Sequence, residues 1–293
     1  MKAKNLNYSV SFGNRLLLFL CITCIGYLIA GCLSWFISLK TGGASVAAMR
    51  IMAVFQDIFL FIMPSIVTAL LITRLPAEFL CLTKKPKLVT GIIACLILLS
   101  AMPALNALIS WNESISLPAG LENIEQSMRA AENAAQDSVK LLLNGSNPGS
   151  LVVSILVVGV LAGFSEELFF RGTLQRLLLS NRGIKPGLAI LISAFIFSFI
   201  HFQFYGFFPR FLLGIYFGYL LYITGSLWVP VIVHAFNNSI YIIGTKLATS
   251  KGTPTDINSI GVENSWEVIF SILITLVLIR VLIKLNTNQE TGK

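Results

Sequence analysis

The stretch SLVVSILVVGVLAGFSEELFFR, residues 150–171, decides the fold of this chain. Its apolar part is long enough to cross the hydrocarbon core of a bilayer, which takes about 20 helical residues. The stretch ends in Glu166, Glu167 and Arg171, and a charged side chain at membrane depth is energetically costly and marks a functional site by default. The stretch therefore predicts a membrane-spanning helix that carries part of a functional site.

Apolar stretches recur along the whole chain. Hydrophobic residues make up 56% of it and charged residues only 12%, whereas soluble proteins carry about 25% charged residues. The apolar runs are Arg15–Leu39, Ile51–Ile72, Leu88–Ser110, Ser150–Phe170, Leu188–Phe204, Phe207–Thr224, Leu227–Thr245 and Trp266–Leu285. We predict an all-α polytopic membrane protein, a bundle of about eight transmembrane helices. The five cysteines show no disulfide or zinc-ribbon spacing and are expected to be small buried hydrophobic residues.

Positive charge collects in alternate connections, which predicts an orientation. The basic residues that carry this pattern are Lys2, Lys4, Arg15, Arg74, Lys84, Lys85, Lys87, Arg176, Arg182, Lys185, Arg280 and Lys284. Because basic connections stay inside, we expect a multi-pass protein of a bacterial cytoplasmic membrane with both termini in the cytoplasm. The net charge of +8 is thus an orientation signal, and no nucleic-acid partner is expected.

The only long polar stretch, residues 111–148, carries an acidic balance and is expected on the outer side. Within it, Leu121–Leu143 has apolar residues at helical spacing, which predicts an amphipathic helix on the membrane surface or capping the bundle. We expect one membrane domain with three parts: residues 1–149 with the first helices and the amphipathic helix, a catalytic core at 150–245, and a final helix and cytoplasmic tail at 246–293.

The two adjacent carboxylates of the fourth run point in different directions. Residues four apart share a helix face, whereas adjacent residues point about 100° apart. Glu167 is therefore expected to form a supporting ion pair with Arg171, while Glu166 projects towards an interior cavity. A carboxylate left free in an apolar interior suits a general base or acid. The alternative is that these charges are the solvated cap of the helix.

The chain has only two histidines, His201 and His234, and both lie in apolar runs. His234 and Asn238 are four residues apart on one helix face, and two donors on one face can hold a developing oxyanion. A single intramembrane histidine is more often a packed residue, and Asn238 alone would more often form a hydrogen bond between two helices. Together with the charged run, these residues favour a catalytic interpretation.

The ordered motifs Glu166-Glu167-x-x-x-Arg171, Phe197-x-x-x-His201 and His234-x-x-x-Asn238 resemble the three signature motifs of the CPBP family. This family contains the type II CAAX prenyl endopeptidases and bacterial bacteriocin-processing or self-immunity (Abi) proteins. The resemblance covers about Ser150–Thr245 and implies an intramembrane endopeptidase.

In the family, the first glutamate and the histidine of the second motif activate a water, which here implies Glu166 and His201. The histidine and asparagine of the third motif, His234 and Asn238, would stabilise the oxyanion. We favour this mechanism without a cofactor. A zinc ion held by Glu166, His201 and His234 is the alternative.

The expected substrate is a hydrophobic or lipidated peptide or protein, reached from the lipid bilayer through an opening on the cytoplasmic side. Two further functions stay open: a non-catalytic self-immunity or scaffold protein, and a proton-coupled transporter. A cluster of phenylalanines was considered as the wall of the substrate cavity, or as packing and lipid-facing residues: Phe195, Phe199, Phe202, Phe204, Phe207, Phe208 and Phe211.

The predicted helix boundaries place Glu166 and His201 at different depths in the membrane, although the proposed site requires them to be close. In straight helices that begin at Ser150 and Leu188, Glu166 and His201 would lie about 15 Å apart along the membrane normal. The conflict disappears if the fourth helix continues towards Leu179 or if the next connection dips into the bundle.

Overall fold

The computed structural model describes residues 10–42, 45–143, 148–250 and 260–287, and all of its regular elements are helices. They are α1 (Phe12–Thr41), α2 (Val46–Ile72), the short α3 (Pro76–Phe79), α4 (Leu88–Glu113), α5 (Glu122–Leu143), α6 (Pro148–Leu179), α7 (Pro186–Phe199), a 3₁₀ turn (Phe204–Gly206), α8 (Phe207–Thr224), α9 (Trp228–Ser250) and α10 (Ser265–Thr287). The prediction of an all-α membrane protein is confirmed.

Six helices of the described ranges are long and apolar enough to cross a membrane: α1, α2, α4, α6, α8 with its preceding turn, and α10. Helix α7 has 14 residues and is therefore about 21 Å long, less than the roughly 30 Å hydrocarbon core. Helix α9 has 23 residues, but His234, Asn237 and Asn238 dilute its hydropathy. The two expected spans that fall short are thus the two that lead to or carry the histidines.

Two segments that carry basic residues lie together on one side of the bundle, which we call the basic face. Arg176 Nε, near the end of α6, donates to the carbonyl of Phe79 in α3, and Lys84 Nζ donates to the carbonyl of Thr224, where α8 ends. On the other side, the α5 face, Arg50 of α2 donates to the carbonyls of Leu142 and Ser150. The orientation of the two faces in the membrane stays a prediction.

The length of α6 removes the conflict of depth between the motifs. Because α6 continues to Leu179, Glu166 lies about 20 Å from the end of α6 at the basic face. Helix α7 starts at Pro186 on the same face, which puts His201 about 22 Å from that start. The first of the two solutions considered above is therefore the correct one.

Glycines let α6 pack closely against α9. A Cβ at Gly163 would lie 3.0 Å from the amide nitrogen of Ala235, and one at Gly159 would lie 2.8 Å from Ser239 Oγ. Small residues four apart allow helix backbones to approach closely in membranes. This contact sets Glu167 of α6 against His234 of α9.

Helix α6 departs from regular α-helical geometry on both sides of the charged run. Residues Ile155–Leu161 and Leu168–Gln175 are π-helical, a geometry that is often found at functional sites. Side chains of neighbouring helices donate to carbonyls of these stretches, Asn238 Nδ2 to Val158 and Ser193 Oγ to Phe170. The local distortion thus supplies acceptors that tie α6 to α9 and α7.

The expectation that all cysteines are buried is wrong for three of them. Cys21, Cys24 and Cys32 of α1 are exposed, whereas Cys81 is buried and Cys95 is half-buried. Helix α1 contacts the bundle along one stripe, so its other sides face outwards, where apolar residues meet lipid rather than protein.

Candidate active site

A cavity of about 710 Å³ lies between α4, α5, α6, α8 and α9. The Glu166, His201, His234 and Asn238 side chains, which the sequence predicts as site residues, all line it. The structure therefore brings residues of all three motifs together at one place inside the bundle.

The Glu167 and Arg171 side chains form an ion pair that is completely buried. Arg171 Nη1 donates to Glu167 Oε1 at 2.7 Å, and both side chains have no exposed surface. Arg171 Nη2 also donates to the carbonyl of Gly214 on α8, and the guanidinium lies 4.4 Å from the ring centre of Phe197. The pair thus joins α6 to α7 and α8.

His234 lies between the two adjacent carboxylates of α6. Its Nδ1 is 2.8 Å from Glu167 Oε1, and its Nε2 is 3.8 Å from Glu166 Oε2. A carboxylate that faces Arg171 accepts, so the Nδ1 of His234 donates, which fixes the orientation of the ring. This contact was not predicted from the sequence, where Glu167 had only Arg171 as a partner.

The Glu166 side chain keeps an open face towards the cavity. It is 18% exposed, whereas its neighbour Glu167 is 0% exposed. The difference follows from the angle between adjacent residues on a helix. Glu166 is therefore the carboxylate of the pair that a substrate can reach.

His201 follows the end of α7 and is oriented by the backbone. Its Nδ1 lies 2.7 Å from the carbonyl oxygen of Phe197. Because a carbonyl can only accept, Nδ1 carries the proton of a neutral ring and Nε2 is left as an acceptor. The Phe197 ring makes edge contacts with both His201 and His234, so this residue of the second motif separates and supports the two imidazoles.

Asn238 has a structural contact in addition to its place on the cavity wall. Its Nδ2 donates to the carbonyl of Val158, and its Oδ1 accepts from Asn237 Nδ2 at 3.3 Å. An amide nitrogen has two N–H groups, so one donor remains for a ligand. Asn237, which also lines the cavity, was not singled out from the sequence.

Three polar residues beyond the motifs form a chain across the cavity from α8 to α5. Arg210 Nη2 donates to Gln203 Oε1 at 2.8 Å, and Gln203 Nε2 donates to Glu132 Oε1 at 3.2 Å. Burial raises the pKa of Glu132, and the charge of Arg210 opposes this rise. The signal for Arg210 was available in the sequence, since it is a charge inside the apolar run Phe207–Thr224.

The predicted amphipathic helix is present as α5, and it forms one wall of the cavity through Gln136, Val139 and Lys140. The cavity therefore lies under α5, away from the basic face. The side on which the cavity opens and the orientation of the basic face both stay predictions.

The phenylalanines considered as cavity walls lie elsewhere. Phe195 contacts the rings of Phe199, Phe207 and Phe211, and none of these residues lines the cavity that holds Glu166. Phe195, Phe199 and Phe202 are exposed. Phe199, Phe202, Phe204 and Phe207 line a second cavity of about 540 Å³ beside α5, so both alternatives, a cavity wall and packing or lipid-facing residues, stay open.

A zinc site made from Glu166, His201 and His234 stays an alternative to the metal-free mechanism. Among the residues that the structure describes, no three His, Cys, Asp or Glu side chains form a group that could hold a metal ion. The Nδ1 atoms of both histidines face Glu167 and the carbonyl of Phe197, so only their Nε2 atoms are left as ligand atoms. We derive no step through a metal.

Comparison with known proteins adds a family to this geometry. Residues 148–240 match the model of Rce1-like proteins, the type II CAAX prenyl endopeptidases. The matched segment contains all three motifs and confirms the resemblance to the CPBP family of intramembrane proteases. Comparison with curated proteins and with solved structures gave no match.

Proposed function

We propose that this chain, which carries an Rce1-like domain at residues 148–240, is an intramembrane endopeptidase in which Glu166 and His201 activate a water. The observation that carries the proposal is the position of His234 between two carboxylates, 2.8 Å from Glu167 and 3.8 Å from Glu166. His201 and Asn238 line the same cavity. A purely structural ion pair between Glu167 and Arg171 would not need two histidines and a partly exposed carboxylate around the same cavity.

Glu166 is the general base of the proposed reaction. Its carboxylate takes a proton from a water while the water oxygen attacks the carbonyl carbon of the scissile peptide bond. The Nε2 lone pair of His201 accepts a hydrogen bond from the same water and orients it. When the C–N bond breaks, the protonated Glu166 returns the proton to the leaving nitrogen, so the products are a carboxylic acid and an amine.

His234 and Asn238 stabilise the oxyanion of the tetrahedral intermediate in this proposal. Asn238 has one amide N–H beyond the one that it gives to Val158. His234 donates from Nε2 when its ring carries both protons, and the Glu167 carboxylate at Nδ1 compensates that charge. Donors held in place before the reaction stabilise the developing charge without reorganisation.

The proposed substrate is a hydrophobic or lipidated peptide. Apolar side chains make up the wall of the cavity along α4 and α8: Leu98, Leu99, Met102, Leu105, Ile109 and Leu213. An extended apolar segment would bury surface against this wall, which favours binding. The Glu166, His201, His234 and Asn238 side chains would face its backbone.

The test is hydrolysis of quenched hydrophobic peptides by the purified protein in detergent, with Glu166→Gln as the variant. We expect cleavage by the unmodified chain and a loss of about 10²–10⁴-fold in Glu166→Gln, the range for a general acid–base group. Glu113→Gln is the matched control because Glu113 is another carboxylate that lines the cavity, and it should keep the activity. Equal rates in Glu166→Gln and the unmodified chain would contradict the proposal.

A chelator separates the two mechanisms considered for the site. Water activation by Glu166 and His201 predicts that activity survives exhaustive chelation. A catalytic zinc ion would require three protein ligands and an open position. Activity that is lost on chelation and restored by one zinc per chain would contradict the metal-free mechanism while leaving the endopeptidase itself in place.

A further inference from the structure

Arg210 is a half-buried cation whose hydrogen-bonding capacity is only partly used. It lies in the first turn of α8 and lines the same cavity as Glu166. Its Nη2 donates to Gln203, but its Nη1 is buried and has no hydrogen-bond partner among the described residues. No carboxylate in the part of the chain that the structure describes forms an ion pair with it.

Direct contact with a carboxylate distinguishes Arg171 from Arg210, since Arg171 Nε is also buried without a hydrogen-bond partner among the described residues. Arg171 has the Glu167 carboxylate at 2.7 Å, the carbonyl of Gly214 and the ring of Phe197. The hydrogen-bond acceptor of Arg210 is the neutral side-chain amide of Gln203, whereas that of Arg171 is a carboxylate. Since a guanidinium without a carboxylate in direct contact keeps donors for a charged partner, an arginine in this state on a cavity wall indicates a site for an anion from outside the chain.

We propose that Arg210 binds a carboxylate of the substrate and thereby fixes which peptide bond reaches Glu166. The proposal deepens the function proposed above and rests on it. The planar guanidinium matches the two oxygens of a carboxylate, and such charge-assisted hydrogen bonds are about twice as strong as neutral ones. The N–H groups of Nη1 are the donors that face no protein acceptor.

The charges around Arg210 favour a carboxylate over a phosphate. Glu132 and Glu166 both lie within electrostatic range of the guanidinium. They repel a doubly charged phosphate more strongly than a singly charged carboxylate. The anion is therefore expected to be the C-terminal carboxylate of a peptide or an acidic side chain within it.

Three versions of one cleavable hydrophobic peptide test the proposal in the unmodified protein, so that the result does not depend on a variant that folds. The first has a free C-terminal carboxylate, the second a C-terminal amide, and the third an amide with an Asp near the C-terminus. We expect amidation to lower kcat/KM by about 10- to 100-fold through KM, the range for a hydrogen bond to a charged group. Recovery by the third peptide would show that the site also accepts a side-chain carboxylate, and no recovery would restrict the site to the C-terminal carboxylate.

Substitution of Arg210 tests the same proposal by changing the protein instead of the peptide. In Arg210→Gln, the acid and amide peptides should be cleaved at similar rates, because the discriminating charge is gone. Lys140→Gln is the matched control, since Lys140 also lines the cavity but is exposed and paired with Asp137, and it should keep the preference for the acid. Equal cleavage of acid and amide by the unmodified chain, or an unchanged preference in Arg210→Gln, would overturn the role of Arg210.

Binding of the same labelled peptides, followed by fluorescence anisotropy, separates this proposal from the proposed function. A preference for the acid in binding with no cleavage of any peptide would contradict the endopeptidase and leave the anion site standing. Cleavage without any preference in binding or rate would contradict the anion site and leave the endopeptidase standing.

Discussion

Helices α1 and α6 are both long and apolar, yet α1 lies at the periphery of the bundle and α6 lies at its centre. They contain 30 and 32 residues. Helix α1 buries one stripe of residues, Arg15, Phe19, Ile22, Gly26 and Ala30, and leaves its other sides open. In α6, every residue from Glu167 to Leu178 is buried. In a membrane, mean hydropathy therefore does not distinguish a central helix from a peripheral one, whereas a segment that is buried on all sides does.

The largest expected effect comes from removing the charge at the centre of α6. Arg171→Met leaves the buried Glu167 carboxylate without its cation, and breaking a buried pair costs about 3–5 kcal/mol. We expect a large fall in Tm in detergent, together with loss of activity. The pair Arg129–Glu125 on α5 has the same spacing of four residues and a similar distance of 2.8 Å, but Arg129 is 44% exposed. Arg129→Met should therefore change the stability by less than about 1 kcal/mol, and equal effects at the two sites would contradict the central role of α6.

Asn238→Ala should lower kcat by roughly 10²–10³-fold, the range for one oxyanion donor. Because Asn238 also donates to the carbonyl of Val158, we expect a modest fall in Tm as well. Asn237→Ala is the neighbouring control, and it removes an amide that donates only to Asn238. An effect of Asn238→Ala on KM alone would show that the residue contacts the substrate rather than the transition state.

Much of the fold follows from the sequence because the helical spans are apolar runs of bilayer length. The ends of α6 were harder to predict, since Leu168–Leu179 mixes apolar residues with Arg171, Gln175 and Arg176. A polar residue ends an apolar run when it meets water, but here these side chains are buried among other helices. The end of α7 was hard to predict for a similar reason, because the turn that follows α7 lies beneath α5 and not in lipid.

The pairing of Glu167 with Arg171 at i and i+4 could be predicted because helix geometry fixes which residues share a face. The contact of Glu167 with His234 could not, because it depends on how closely α6 approaches α9. The available signal was Gly159-x-x-x-Gly163, which permits that approach. The Gln203–Arg210 contact depends on the turn between α7 and α8, whose path no periodicity encodes.

A smaller effect is expected where α6 approaches α9. Gly163→Ala places a methyl group 3.0 Å from the amide nitrogen of Ala235 and 3.2 Å from its Cα. Overpacking of this kind typically costs about 1–3 kcal/mol, and the shift should also weaken the contact between Glu167 and His234. Gly31→Ala in α1, where nothing lies within 4 Å, should leave Tm unchanged or raise it slightly. A larger loss in Gly31→Ala than in Gly163→Ala would reverse the assignment of central and peripheral helices.

The smallest effect concerns single hydroxyl groups. Ser193 Oγ donates to the carbonyl of Phe170 inside the bundle, so Ser193→Ala should cost about 0.5–1.5 kcal/mol. Thr41 Oγ1 donates to the carbonyl of Ile37 at the exposed end of α1, and Thr41→Ala should have no measurable effect. Thermal unfolding of both variants in one detergent checks the difference, and a destabilisation confined to Thr41→Ala would contradict it.

The central claim is that two adjacent carboxylates of α6 have different functions, catalysis for Glu166 and support of Arg171 and His234 for Glu167. The most direct measurement compares Glu166→Gln with Glu167→Gln, with Tm and peptide cleavage recorded on the same preparations. We expect Glu166→Gln to keep the Tm of the unmodified chain and to lose cleavage, because its carboxylate faces the cavity and makes no buried ion pair with arginine. Glu167→Gln should instead lower the Tm, because it leaves Arg171 without a counter-charge. An active Glu166→Gln beside a stable and inactive Glu167→Gln would contradict the account and exchange the two roles.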